Sequence, residues 1–91
     1  MSATPVCRLK DKNTGGSTAI QSSKNVFCNG LGVHLQGQKW TGHGRGKHSH
    51  PISRKGSPTV FVNGKPLMRV SDPISCGHKV ATGSPNTFCG P

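Results

Sequence analysis

The chain has 91 residues and a formal net charge of +10, with 12 Lys and Arg against 2 Asp and Glu. Apolar residues make up 30% and aromatic residues 4%, so one small domain is expected and a core resting on apolar burial alone is excluded. No apolar run approaches a membrane span, and residues 1–6 lack the charged and apolar segments of a secretory leader, so the chain is expected to be made in a cytoplasm and to be soluble.

In chain order, residues 1–22 offer short β-type pieces at 6–9 and 18–21, on either side of a Thr14-Gly15-Gly16-Ser17 turn. A phenylalanine motif then recurs. It reads Val26-Phe27-Cys28-Asn29-Gly30, then Val60-Phe61-Val62-Asn63-Gly64, then Thr87-Phe88-Cys89-Gly90, at intervals of 34 and 27 residues. Asn-Gly between apolar residues predicts a type I′ hairpin, because both central positions want positive φ. Repeats are placed around 22–38, 56–72 and 80–91, as copies of one unit folded against each other. With 13 Gly and 7 Pro and no helical periodicity, the chain reads as all-β, with strands of about four to five residues. Phe27, Phe61 and Phe88 are read as core.

Residues 36–51 differ from the rest. They are Gly- and His-rich, with Trp40 as the one large apolar side chain, and have no local reason to be ordered without a bound ion. The candidate ligands are His34, His43, His48, His50, Cys76 and His78. Imidazoles with one thiolate suit zinc, and the near absence of carboxylates argues against calcium or magnesium. The ligand spacing is not that of a zinc finger. A hydrolytic zinc centre keeps an open position and usually a Glu base. The chain has no Glu, and it is not read as an enzyme.

The charge also raises nucleic-acid binding by a basic zinc-containing module as an alternative. Against it, the basic residues are scattered from Arg8 to Lys79, and no aromatic platform accompanies them.

The run from Gly56 to Gly77, with Ser57-Pro58-Thr59-Val60-Phe61-Val62-Asn63-Gly64 and Pro66-Leu67-Met68-Arg69, resembles the PAAR-repeat family, as does Ala81 to Phe88. The resemblance is strong over 22–91 and weak over the first 20 residues. It implies a single domain over 1–91, a small cone of three pseudo-threefold β-hairpin repeats with a metal-stabilised tip. It implies one structural zinc held by three histidines and a cysteine. The family's Asp-Pro-x-x-His-Gly-Gly stretch corresponds to Asp11-Lys12-Asn13-Thr14-Gly15-Gly16, which has no histidine. The expected ligands are therefore His34, His43, His50 and Cys76, with His48 as an alternative to His50 and His78 as a neighbour.

The resemblance further implies a structural tip protein that caps the trimeric central spike of a contractile tail, one copy per trimer, and pierces the target cell envelope. The motif around Trp40, His34-x-x-Gly37-x-x-Trp40-x-x-His43, resembles a phage-tail subgroup of the family and favours a bacteriophage baseplate and a location at the virion tail tip. The alternative is a type VI secretion spike, with the protein ejected from a bacterial cytoplasm. The sequence ends at Pro91, directly after the third motif, and no catalytic extension is expected. Ser23, Ser57 and Ser84, with the strand edges beside them, are expected to face the spike. Cys28 and Cys89 occupy equivalent positions, as small buried residues or as partners in a disulfide that could involve Cys7.

Overall fold

The computed structural model describes residues 4–42, 46 and 51–89, and among these there is no α-helix. Three antiparallel hairpins carry the regular structure. Strand β2 (Phe27–Cys28) pairs with β3 (Leu31–Gly32), and β4 (Phe61–Val62) pairs with β5 (Lys65–Pro66). The third hairpin is assembled from the two ends of the described chain: β1 (Thr4–Pro5) pairs with β6 (Phe88–Cys89). Each internal hairpin turns on Asn-Gly in the left-handed region, at Asn29 (φ 56°) with Gly30 (79°) and Asn63 (φ 53°) with Gly64 (78°), as a type I′ turn demands.

The strands are two residues long, shorter than the sequence suggested. Beyond each pair the chain leaves its own hairpin and bridges the next unit, at Val6–Arg69, Arg8–Val33 and Leu35–Leu67. Three structural units follow from this: 6–32, 33–66, and 67–89 completed by 4–5. The stretch Pro5-Val6-Cys7-Arg8 is therefore the counterpart of Pro66-Leu67-Met68-Arg69, a copy that the sequence pattern left unnoticed.

At the centre the units close a ring. Cys7 N–H donates to the Met68 carbonyl (2.9 Å), Met68 N–H to that of His34 (3.0 Å), and His34 N–H to that of Cys7 (2.9 Å). All three residues are fully buried. No single unit can satisfy these backbone groups, so each copy depends on the other two.

Alternation along the chain then sorts side chains to two sides of the ring. Val6, Val33 and Leu67 join a cluster with Cys28, Leu35 and Cys89. Cys7 and Met68 join the other, with Ala19, Trp40, Ile74, Cys76 and Val80.

Each unit next makes a left-handed step, at Lys10 (φ 74°), Gly37 (85°) and Ser71 (78°). A side-chain oxygen of the following residue caps it: Asp11, Gln38 and Asp72 accept the N–H of Arg8 (2.7 Å), Leu35 (2.9 Å) and Arg69 (2.8 Å).

Contacts between units are close enough to dictate residue size. A Cβ on Gly56 or Gly83 would lie 2.7 Å from the Leu67 carbonyl oxygen or 2.9 Å from that of Val6, with Pro66 or Pro5 alongside. In the first unit the sizes are exchanged. Ser22 stands where Gly56 and Gly83 stand, and Gly32 where the prolines stand, so a Cβ on Gly32 would collide with the Ser22 hydroxyl.

Candidate functional site

The three phenylalanines are not core. Phe27, Phe61 and Phe88 are exposed by 61%, 57% and 53%, and the half-exposed Val26 adjoins them. Neighbours in a strand point to opposite faces, so each phenylalanine competes for the interior with the residue after it. Cys28, Val62 and Cys89 take the inside, where three units converge on one axis and small side chains fit. The phenylalanines are left on a common face. Phe27 and Phe88, with Val60 and Val62 on either side of Phe61, border a shallow apolar cup of about 300 Å³ whose floor includes Val6, Val33 and Leu67. Three exposed rings at equivalent positions, two of them bordering an apolar cup, are the kind of apolar surface that marks a contact site.

The serines before each motif have the opposite fate. Ser23, Ser57 and Ser84 are buried. The Ser23 hydroxyl accepts the N–H of Asn25 (3.3 Å) and Val26 (3.1 Å). Ser57 accepts from Thr59 (3.2 Å) and Val60 (2.9 Å), and Ser84 from Asn86 (3.2 Å) and Thr87 (2.9 Å). Ser23 and Ser84 also donate to the hairpin asparagine of the next unit, Asn63 and Asn29, each at 2.6 Å. They hold the apolar face in place and are not themselves presented on it, contrary to the sequence expectation.

On the other side of the ring, the second unit carries a polar chain inside the core. Trp40 Nε1–H donates to Ser53 Oγ (2.8 Å), and Ser53 Oγ lies 2.6 Å from His34 Nε2. His34 Nδ1 lies 2.8 Å from the Gln21 carbonyl oxygen. A carbonyl only accepts, so Nδ1 carries the proton, and the Ser53 hydroxyl donates to the Nε2 lone pair. The His34 and Trp40 rings meet edge to face at 4.9 Å. Burial lowers the His34 pKa to about 4, against weaker upward pulls from the Gln21 carbonyl and Asp11. The ring is neutral at physiological pH.

This arrangement bears on the expected metal centre. A histidine ligand must offer an imidazole lone pair, and in this structure that of His34 is engaged by Ser53. Cys76 is buried in the apolar cluster that also holds Trp40 and Ile74. His43 and His50, together with the alternative His48, lie outside the described residues. His78 Nδ1 is 3.1 Å from Thr14 Oγ1. Among the described residues, no group of three or more His, Cys, Asp or Glu side chains gathers.

All four cysteines are buried and none forms a disulfide, so Cys28 and Cys89 follow the buried-residue reading. Cys7, on the axis, has its thiol pKa raised by burial first and by Asp11 second, which makes it a poor nucleophile. Asn13 stands where Trp40 and Ile74 stand in the other units. Its Oδ1 accepts the N–H of Gly15 (2.8 Å) and Ser17 (3.0 Å), and its Nδ2 is a buried nitrogen without a partner. Nothing in the sequence singled it out.

Both acidic residues are consumed internally. Arg8 pairs with Asp11 (3.0 Å) and Arg69 with Asp72 (2.9 Å), and each carboxylate holds its guanidinium more firmly protonated. The remaining described cations, Lys10, Lys12, Lys24, Lys39, Arg54, Lys55, Lys65 and Lys79, are exposed. No helix among the described residues is long and apolar enough to cross a membrane.

Comparison with known proteins gives concordant matches. The family described as PAAR motif matches residues 9–82. The NAD(P)(+) glycohydrolase toxin Tse6 and the (p)ppApp synthetase toxin Tas1, both of Pseudomonas aeruginosa, are each 33% identical over 94 aligned residues, covering 96% of this chain. The double-stranded DNA deaminase toxin A of Burkholderia cenocepacia is 34% identical over 70 residues, covering 76% of this chain. The chain spans 21% of the length of the first two and 5% of the third.

Proposed function

The chain belongs to the PAAR-motif family, and from that premise we propose that it is a structural spike tip, seated by its phenylalanine face on the end of a trimeric spike. The family points to a spike-tip role in injection machinery. The observation that carries the reading here is the exposure of Phe27, Phe61 and Phe88 at equivalent positions of three units. One pseudo-threefold chain can meet three identical chain ends, each ring contacting one of them. A single copy per spike trimer is the stoichiometry this symmetry fits.

The setting we propose is a toxin-delivering secretion apparatus of the type VI kind. The matched relatives are named as bacterial toxins, which favours this setting over the phage tail expected from the Trp40 motif. Their enzymatic activities are not assigned to this chain, which matches 21% or less of their length. The role proposed for the matched region is mechanical: it caps the spike and meets the target envelope.

The test is co-purification with a candidate spike trimer, measuring stoichiometry by native mass spectrometry. One copy per three spike chains is expected. Phe27→Asp/Phe61→Asp/Phe88→Asp should abolish the complex, with little change in melting temperature because the rings are exposed. Unaltered binding by the triple variant would refute the docking face.

A structural zinc belongs to the same proposal, with Cys76 as one ligand. Since the His34 lone pair is engaged, the remaining ligands are proposed from His43, His48 and His50. A closed zinc site would tie segments far apart in sequence and add folding energy on the order of 10 kcal/mol. Metal content of the purified protein checks this. Cys76→Ser should lose the metal and His34→Gln should keep it; the reverse pattern would restore His34 as a ligand.

A further inference from the structure

The seams between units provide an internal comparison. In the seam between the third and first units, Arg8 fills the groove. Its Nη1 donates to Asn29 Oδ1 (3.1 Å) and its Nη2 to the Gly83 carbonyl (3.3 Å), while Asp11 takes Nε (3.0 Å) and Nη2 (3.1 Å). The equivalent residues between the first and second units are Leu35 for Arg8, Gln38 for Asp11, Asn63 for Asn29 and Ser22 for Gly83. Those four residues, with Lys24, Asn25, Lys65 and Ser23, line an open cleft of about 360 Å³. The cleft is the guanidinium slot of the other seam with its arginine missing.

Its charge is also reversed. The carboxylate of Asp11 is replaced by the neutral amide of Gln38, whose Oε1 is occupied by the Leu35 N–H (2.9 Å), leaving Nε2 as a donor. Asn25 Oδ1 accepts from Asn63 Nδ2 (3.0 Å), so its own Nδ2 is likewise left over. Lys24 and Lys65, both exposed, stand where the filled seam has Pro85 and Leu31. The two lysines are thus particular to the seam that lacks the arginine. The residues that line the cleft thus carry four available side-chain nitrogens, two of them charged, and no carboxylate.

We propose that this cleft is a binding site for a carboxylate, the side chain of a glutamate or aspartate on a protein partner lying along the flank. The carboxylate would take charge-assisted hydrogen bonds from Lys24, Lys65 and the amides, and its aliphatic stem would lie on Leu35. This assignment does not depend on the spike reading, because the phenylalanine face takes no part in it.

The experiment is a nuclear magnetic resonance titration of the full chain with the capped peptide acetyl-Gly-Glu-Gly-amide. The side-chain amides of Asn29 and Asn86 in the filled seam serve as the internal control. Saturable shifts of the Gln38, Asn25 and Asn63 side-chain amides are expected, with Asn29 and Asn86 unmoved. Leu35→Arg/Gln38→Asp, which rebuilds the arginine plug, should abolish them. Lys24→Gln/Lys65→Gln changes only exposed side chains, and so remains readable if the first variant misfolds; it should weaken binding about fivefold or more. Equal shifts in both seams, unchanged binding in Lys24→Gln/Lys65→Gln, or preference for acetyl-Gly-Arg-Gly-amide would overturn the proposal. Equal or tighter binding of inorganic phosphate would overturn the carboxylate assignment.

Discussion

The second and third units place the same backbone around different interiors. At three matched positions the third unit has Met68, Val80 and Ile74, all apolar. The second has His34, Ser53 and Trp40, linked end to end by hydrogen bonds. Both sets are buried. The fold therefore does not require a greasy interior at these positions; it requires one that is filled and whose polar atoms are paired. The difference lies in tolerance. An apolar set loses only contacts when one member shrinks, whereas a hydrogen-bonded set also strands its neighbours.

The largest expected effect in that comparison comes from removing its bulkiest member. Trp40→Ala should destabilise by about 3–5 kcal/mol, since it opens a cavity and removes the donor to Ser53. Ile74→Ala, its apolar counterpart, should cost about 2–3 kcal/mol. Chemical denaturation of both variants measures the gap; equal losses would mean that the polar chain adds nothing.

Acid should separate the units next. The unfolded histidine titrates near 6.5, whereas folded His34 titrates near 4. The unfolded state therefore binds the extra proton between those values. The neutral ring's contribution is complete above pH 6.5 and is lost as pH falls toward 4, by about 3 kcal/mol in all. Melting curves across this window should show His34→Gln converging on the parent as pH drops. A constant difference would contradict a buried neutral His34.

The smallest effect tests the exchange of sizes in the first unit. Gly32→Ala should cost about 1–3 kcal/mol through overlap with the Ser22 side chain and the Ser23 carbonyl oxygen, and adding Ser22→Gly should recover the part due to Ser22. Failure of that rescue, read by melting temperature, would show that the Ser22 contact is not the constraint.

Much of the local structure was legible beforehand. Asn29-Gly30 and Asn63-Gly64 announced hairpins because few other residue pairs occupy the left-handed region cheaply, and the lack of helical period made the chain all-β. The family was readable from 56–88 for the same reason: turn residues at fixed offsets are a local code. The candidate face was misread. Phe27, Phe61 and Phe88 were placed inside because large aromatic side chains usually are, yet a period of two states only that neighbours face opposite ways. It does not state which side is the interior. Nor is the partner of the His34 lone pair legible in the sequence, because Ser53 reaches it only when the chain folds back 19 residues later.

What the sequence determined by itself was the repeating unit and its turns, since these depend on φ preferences and spacing within a few residues. The tertiary structure alone decided how the units are counted and which faces they show. The first copy, Pro5-Val6-Cys7-Arg8, becomes visible only when the two ends of the chain meet as β1 and β6. The central ring of Cys7, His34 and Met68 exists only when all three copies surround one axis. Closing that ring leaves space beside it for Cys28, Val62 and Cys89 but not for three phenylalanines, and this convergence, which no single repeat encodes, turns the aromatic rings outward.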